Sequence, residues 1–200
     1  ALMNRTPWQL WEVSTGAVKT GADTLEAISV LETAFSKLEV KGSNEHPGLL
    51  HMYIHLMEMS PHPEKALKAG DALTSLVPDA GHLQHMATHI DVLCGHYENV
   101  VRRNHNASIA DKKYLKMRGL DTFYTAYICH NFHFKVYGSI FLGQFKPAIE
   151  AAQELQDLLS PEVIRPSADW LESYYPMKYH VFVRFGMWDQ IKVINPPSDN

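Results

Sequence analysis

Paired histidines are the residues of this sequence with the clearest capacity for chemistry. The chain has 12 histidines among its 200 residues. Six of them form three pairs at a spacing of three or four residues: His51 and His55, His85 and His89, and His130 and His133. On a helix, residues at this spacing lie on adjacent turns of one face. Neutral imidazole nitrogen binds zinc, copper and iron, so the pairs predict a transition-metal site.

A carboxylate accompanies the first pair. Glu58 follows His55 by three residues, shares its helix face, and is therefore a further candidate ligand. His82 and His180 are candidate outer members of the site. A donor set rich in histidine argues against magnesium and calcium, which prefer oxygen. If the protein is an enzyme, two reaction types stay open: redox or oxygen chemistry at copper or iron, and metal-assisted hydrolysis with Glu58 as general base.

Helices must position these residues, because no segment alternates in the manner of a strand. Apolar residues recur at spacings of three and four residues, and proline or glycine separates the segments. Helices are predicted over residues 8–13, 23–38, 47–59, 63–76, 81–94, 97–110, 121–142, 145–159, 168–184 and 187–192. Short helices with tight connections are typical of stacked helical hairpins.

An internal repeat supports this prediction. A turn residue is followed two positions later by an aromatic residue and five positions later by a small or aliphatic one. The small or aliphatic residues are Ala27, Ala66, Val100, Ala148 and Ile191, at spacings of 39, 34, 48 and 43. A period near 34 with insertions is the tetratricopeptide (TPR) signature. We therefore predict an all-α fold of stacked antiparallel hairpins, a TPR-like α-solenoid, over residues 1–200 as one domain; the alternative is a non-repetitive helical bundle.

The histidines fall on one register of this repeat. When the turn residues Pro61, Gly95, Gly143 and Gly186 are numbered 15, position 5 is His51, His85, His133 and Pro176. Position 9 is His55, His89, Tyr137 and His180, and position 2 is Gly48, His82, His130 and Ser173. These positions share the helix face that lines the concave groove of TPR-like arrays. His62, His96 and His105 fall outside this register and are expected at the surface.

The sequence resembles a group of long bacterial proteins annotated by their tetratricopeptide repeats. The similar segments are PWQLW (7–11), HPGLLHMYIHLMEMSPHPEKAL (46–67), GHLQHMATHIDVLCGHYENVVRRN (81–104), YICHNFHF (127–134) and VRFGMWDQI (183–191). The resemblance covers most of the chain and is most specific in the histidine segments. Family members have proline in place of Ala87 and Cys129, and they are usually longer, so we expect a fragment or a shortened member. The resemblance implies the fold and the site, and no particular reaction.

The composition and charge limit the classes of partner and the cellular location that we expect. The net charge is −4 and the pI about 6.3, which does not suit a nucleic-acid binder, since phosphate contacts need a clustered basic surface. No apolar stretch reaches the roughly 18 residues that a membrane span requires, and no signal peptide is recognisable. A soluble protein with no membrane contact is expected, with the cytoplasm favoured. Two cysteines, Cys94 and Cys129, cannot build a disulfide framework. One bridge between them is the alternative, and two reduced thiols in apolar surroundings are expected.

The leading hypothesis is a metalloprotein whose concave groove holds one or two transition-metal ions. Its predicted ligands are His51, His55, Glu58, His85, His89, His130 and His133. The alternative is a non-catalytic TPR scaffold that binds a peptide or a partner protein in the groove. Clamps for peptide carboxylates use lysine, arginine and asparagine, whereas this face carries mostly histidine, which favours metal. A metal store without turnover is a third hypothesis, which the sequence does not separate from an enzyme.

Overall fold

The computed structural model describes residues 1–40, 46–120 and 123–194. Its α-helices are α1 (Thr24–Val40), α2 (Pro47–Met57), α3 (Leu67–Leu76), α4 (Gly81–Leu93), α5 (Tyr97–Arg118), α6 (Thr125–Phe141), α7 (Phe145–Leu158), α8 (Pro161–Ile164), α9 (Ala168–Leu171), α10 (Met177–Arg184) and α11 (Trp188–Lys192). Short 3-10 helices span Leu2–Arg5, Pro63–Ala66, Arg165–Ser167 and Glu172–Tyr174, and two strands span Trp11–Glu12 (β1) and Ala17–Val18 (β2). The prediction of an all-α fold is confirmed for the described residues, apart from this strand pair.

The helix predicted over residues 8–13 is wrong, because the segment forms β1 and pairs antiparallel with β2. Trp8 has a φ of 59° and Gly16 a φ of 72°. Both values lie in the left-handed region, which a right-handed helix cannot contain. The segment still joins the helical core, since the indole N–H of Trp11 donates a hydrogen bond of 2.7 Å to the carbonyl of Leu56.

Most of the other helices begin and end close to the predicted positions. α5 is longer than predicted, continuing to Arg118 instead of ending near residue 110. The helix predicted over 121–142 is observed as α6, which begins at Thr125; residues 121–122 of that prediction lie outside the described part of the chain.

The continuous helix predicted over 168–184 is also wrong. The segment is divided into α9, a 3-10 turn and α10, and Pro176 occupies the N-cap of α10. Proline has no amide hydrogen, and its ring clashes with the preceding turn of a helix, so a helix cannot run through this position without a break. The break interrupts the register that the sequence predicts for the fourth repeat, and the His180 side chain is exposed.

The order of helix packing brings the histidine helices together. Each helix from α1 to α6 packs on the next one along the chain, and α7 packs on α10. In addition, α2 contacts α4, α4 contacts α6, and α6 contacts α10. The helices α2, α4 and α6 carry the paired histidines, so their paired side chains can meet across adjacent helices.

Small residues allow these helices to approach closely. Val100 and Ala148, two of the predicted packing residues, are fully buried. A Cβ added at Gly81 would lie 1.9 Å from a carboxylate oxygen of Asp111, and one added at Gly138 would lie 2.8 Å from Val100. Both distances are far below van der Waals contact, so glycine is required where α4 meets α5 and where α5 meets α6.

Two apolar clusters form the core. The first includes Ile54, Leu56, Leu73, Met86 and Ile90 of α2 to α4, and the second includes Ile128, Phe132, Val136 and Leu155 of α6 and α7. Within the described ranges, no helix is both long enough and apolar enough to cross a bilayer.

Candidate metal centre

Six histidines of α2, α4 and α6 assemble into two neighbouring triads. The first triad consists of His51, His55 and His82, and the second of His85, His89 and His130. Within each triad, one ring nitrogen of every histidine lies within 4.8 Å of those of the other two. Either group could therefore hold one metal ion.

The first triad joins α2 to the first turn of α4. The ring centroids of His51 and His55 are 4.8 Å apart, and those of His51 and His82 are 5.3 Å apart. His51 Nε2 and His82 Nδ1 are both buried, and neither has a hydrogen-bond partner among the described residues. A buried polar nitrogen without a partner is costly and uncommon in native proteins. These two nitrogens are therefore the strongest indication that the triad faces a ligand.

The second triad joins α4 to α6, and a hydrogen bond to a residue outside the triad determines the tautomer of His85. The side-chain nitrogen of Asn104 donates to the carbonyl of Val100 over 2.8 Å, so the oxygen of that amide faces His85. This oxygen lies 2.7 Å from His85 Nδ1 and only accepts, so Nδ1 carries the hydrogen. The lone pair of neutral His85 is consequently on Nε2, which points at His89.

The contact between His85 and His89 needs a positive charge between the rings. Their Nε2 atoms are 3.0 Å apart, and His89 Nδ1 lies 2.9 Å from Glu58 Oε2, so His89 donates from Nδ1 to the carboxylate. Both Nε2 atoms then present lone pairs to each other unless a proton or a metal ion separates them. Two nitrogens bound to one tetrahedral zinc ion lie about 3.3 Å apart, given bonds of about 2.0 to 2.1 Å. The observed separation is close to that distance.

Glu58 connects the two triads. Its Oε1 lies 3.1 Å from His55 Nδ1, and its Oε2 lies 2.9 Å from His89 Nδ1. Burial by itself would raise the pKa of Glu58, but the hydrogen bonds from His55 and His89 lower it to about 2. The structure thus places this candidate ligand behind the imidazoles. There it orients both rings and leaves their Nε2 atoms free, an arrangement common around metal-binding histidines.

Four of the six triad histidines lie in surroundings that favour the neutral form, which metal binding requires. Burial, followed by the neighbouring histidines, lowers the pKa of His51 to about 4 and that of His82 to about 3. The same causes lower the pKa of His130 to about 4 and that of the fully buried His85 well below its ordinary value.

The observed triads differ from the predicted ligand set at two histidines. His82, an outer candidate, belongs to the first triad, whereas His133 belongs to neither. The ring of His133 lies 5.9 Å from Tyr174, and its pKa is lowered by burial and then by His180. The rings of His85 and His130 are 4.6 Å apart, although the repeat register makes His133 the equivalent of His85. α6 is therefore offset by about one helical turn relative to that register.

The predicted surface histidines and the two cysteines lie outside both triads. His62, His96 and His105 are exposed, as predicted. Cys94 and Cys129 are free thiols, as predicted. Burial raises the pKa of Cys129 to about 12, which disfavours the thiolate form that binds metal.

Sequence reasoning did not find two residues that shape the second triad. Asn104 orients His85, and Phe134 packs against the rings of His85, His89 and His130 with centroid separations of 4.7, 4.9 and 4.7 Å. Asn104 follows the packing residue Val100 by four positions and therefore lies on the same helix face. A polar residue on a face predicted to be buried is the signal that could have identified it. Phe134 had no comparable signal.

Comparison with known proteins adds no further information about the site. No protein-family model, no curated protein and no solved structure matches this chain.

Proposed function

We propose that this chain is a metal-binding helical-repeat protein of the TPR type, in which each histidine triad holds one transition-metal ion. One observation carries the proposal. Six imidazoles converge in two groups of three, and in three of them, His55, His85 and His89, Nδ1 is held by a neighbouring side chain. Nε2 of these residues is thereby turned toward the centre of its group. Such external hydrogen bonds usually accompany histidine ligation.

The TPR assignment is supported by a helix-ending motif that recurs at three turns. Gly95, Gly143 and Gly186 have φ values of 76°, 67° and 66°. At each, the glycine amide bonds to the carbonyl three residues before it over 3.2 Å, and the next amide bonds to the carbonyl five residues before it over 2.8 to 2.9 Å. This is the Schellman motif. Helix ends of the same kind at equivalent positions are expected of repeats.

Aromatic contacts between consecutive hairpins add to this support. Tyr97, two residues after the first glycine turn, stacks on Phe141 at a centroid separation of 4.8 Å. Phe145, two residues after the second, packs against Phe185 at 5.3 Å. Each aromatic residue thus contacts the end of the first helix in the next hairpin, as expected if the hairpins stack with a constant relation.

The donor set limits the metal and its chemistry. Neutral imidazoles suit zinc, copper or iron and do not suit magnesium or calcium. Three nitrogens leave at least one coordination position open, as in catalytic sites, and a metal there would supply Lewis-acid or redox chemistry. Because both oxygens of Glu58 accept hydrogen bonds from imidazoles, we assign this carboxylate an orienting role in place of that of general base.

Metal content tests the proposal directly. Protein produced without a histidine tag, in medium that supplies zinc, copper and iron equally, is expected to contain two transition-metal ions per chain by elemental analysis. Dialysis against a chelator should remove them, and one added metal should restore them. A content well below one ion per chain under every metal supply would contradict metal binding.

Replacing Glu58 separates an orienting role from direct ligation. Glu58→Gln keeps the volume but replaces one acceptor oxygen with a donor, so only one of the two imidazoles can remain hydrogen-bonded. We expect a loss of about 10- to 100-fold in metal affinity, with two ions still bound at saturation. Competition with a fluorescent chelator measures the affinity.

Glu64→Gln provides the matched control, because Glu64 lies 3.3 Å from Nδ1 of His62 in an exposed pair. Its metal affinity should equal that of the wild type. Loss of one whole ion from Glu58→Gln at saturating metal would show instead that Glu58 is a ligand.

A further inference from the structure

A cavity of about 210 Å³ adjoins the first triad. It lies between the N-terminal segment and α2, and His55 and Glu58 form one of its walls. Apart from these two residues and Asn4, its lining is apolar. The cavity therefore has an apolar body with a polar end at the candidate metal centre, which is the usual composition of a small-molecule site.

The apolar walls are formed by soft and aromatic side chains. Met3, Met52 and Met59 line the cavity together with Trp8 and Trp11. Methionine sulfur makes favourable contacts with aromatic rings and adapts to irregular shapes. A wall of thioethers and indoles consequently favours a flat aromatic ligand over a charged or strongly hydrated one.

The two tryptophans differ in how firmly they are held. Trp11 is fixed by its hydrogen bond to the carbonyl of Leu56. Trp8 is 75% exposed, makes an edge contact with His55 at 5.4 Å, and has a backbone φ of 59°. Bulky residues rarely adopt this conformation, and such outliers cluster at ligand sites. Trp8 is thus placed over the cavity at a conformational cost and without the burial that would ordinarily offset it.

We propose that this cavity binds a small aromatic molecule of one ring or two fused rings, with a polar substituent directed at His55. The volume is suitable, because an apolar cavity of about 150 Å³ already holds benzene. The proposal rests on the proposed function in one respect: a substituent at His55 contacts a candidate ligand of the first triad.

Phenol is the probe that tests this inference. The indole N–H of Trp11 reports binding in ¹H–¹⁵N spectra, and titrations are made with chelator-treated protein and with zinc-loaded protein. Phenol is expected to bind the chelator-treated wild type with a Kd on the order of 1 mM. Zinc should tighten binding, because it fixes the ring of His55 against which the hydroxyl is placed.

Two tryptophan variants provide the comparison. Trp8→Ala should weaken phenol binding by at least about tenfold, because the variant lacks one of the two indole rings that line the cavity. Trp170→Ala is the matched control, since Trp170 is 74% exposed and lies outside the cavity lining, and its affinity should equal that of the wild type.

The outcomes separate this inference from the proposed function. Absence of saturable binding to the wild type, or equal affinities of Trp8→Ala and Trp170→Ala, overturns the cavity assignment even if two metal ions are present. An affinity that zinc leaves unchanged overturns the placement of the hydroxyl at His55. Binding that depends on Trp8 in a protein that takes up no metal supports the aromatic occupant and contradicts the metal centre.

Discussion

The double variant His51→Ala, His130→Ala is expected to bind both metal ions at least about 100-fold more weakly. It removes one imidazole from each triad, and neither residue hydrogen-bonds Glu58 or Asn104. Changes that affect only the partners of ligands cost about 10- to 100-fold in affinity, so removal of a ligand should cost at least 100-fold at each ion. At free metal about 1,000 times the Kd, each ion stabilises the folded state by about 4 kcal/mol.

Melting temperature with and without a chelator measures this effect. For a chain of this size, about 4 kcal/mol corresponds to roughly 8 to 16 °C. Chelation should lower the melting temperature of the wild type by at least this amount. It should lower that of His51→Ala, His130→Ala by at most about a third as much, because a site that binds about 100-fold more weakly stabilises the fold by only about 1.4 kcal/mol at the same free metal. The difference between the two conditions is diagnostic, because it cancels any effect of the substitutions on the metal-free fold.

The control removes the same number of histidines from the surface. His62→Ala, His105→Ala changes two exposed residues outside both triads, and surface substitutions usually alter stability by no more than about 0.5 kcal/mol. This variant should respond to chelation as the wild type does. If all three proteins respond alike, the triads do not hold metal, and a groove that binds a peptide becomes the better interpretation.

Acid is expected to destabilise the metal-free protein between pH 6.5 and about 4. Folding lowers the pKa of His51 and His130 from 6.5 to about 4 and that of His82 to about 3. In this window the unfolded chain binds more protons than the folded one. The free energy of unfolding therefore falls as the pH falls. Each such histidine contributes at most about 1.4 kcal/mol per pH unit, less where solvent screens a partly exposed ring.

Urea unfolding of the chelator-treated protein at a series of pH values measures this slope. His51→Ala, His130→Ala should show a shallower decline than the wild type, and His62→Ala, His105→Ala should show the same decline. Glu58 contributes only at the acidic end of the window, because its pKa is lowered to about 2 and its effect is lost only below its ordinary value of 4.5. It is present in all three proteins, so the differences between them are unaffected. Identical slopes for all three proteins would mean that the two triad histidines are not held neutral by folding.

The comparison between variants also cancels an opposing effect. Burial raises the pKa of Asp91 and of Asp111. Carboxylates with raised pKa values make the protein more stable as the pH falls, so they reduce the total slope. Both residues are present in every variant, and the difference in slope isolates the histidines. In metal-loaded protein, protons compete with the metal for the same nitrogens, so metal should be lost in the same acidic range.

Local spacing was enough to identify most of the helices and most of the site. The pairs His51 and His55 and His85 and His89 each lie on one helix, and the two rings of each pair belong to the same triad. This follows because residues four positions apart are neighbours on any α-helix, whatever packs against it. Glycine turns were predictable for the same reason, since a residue with positive φ at a helix end depends on a few bonds of the backbone.

Local patterns failed where a rare backbone conformation or proline intervened. The segment predicted as a helix over 8–13 contains β1 instead. Trp8 has a positive φ, and nothing in the neighbouring sequence indicates this conformation. The helix predicted over 168–184 was divided at Pro176, where the breaking residue was visible but was outweighed by the apolar spacing on either side of it.

Only the tertiary structure decided which histidines meet across helices. The repeat register made His133 equivalent to His85, yet His130 packs on His85, and His133 lies beside Tyr174. A shift of three residues along a helix is about 4.5 Å, larger than the separation between ligand atoms on one ion. Spacing within a helix carries no information about such a shift, which depends on how side chains of α4, α5 and α6 interlock.

The roles of Glu58 and Asn104 were decided in the same way. The spacing in the sequence predicted that Glu58 lies next to His55. The second hydrogen bond that Glu58 accepts, from His89, exists only because α2 packs on α4. Asn104 determines the tautomer of His85 from a different helix, α5. The sequence by itself thus determined which residue types share a helix face. The tertiary structure decided which nitrogen of each ring is free to bind, because that depends on hydrogen bonds between residues far apart in the chain.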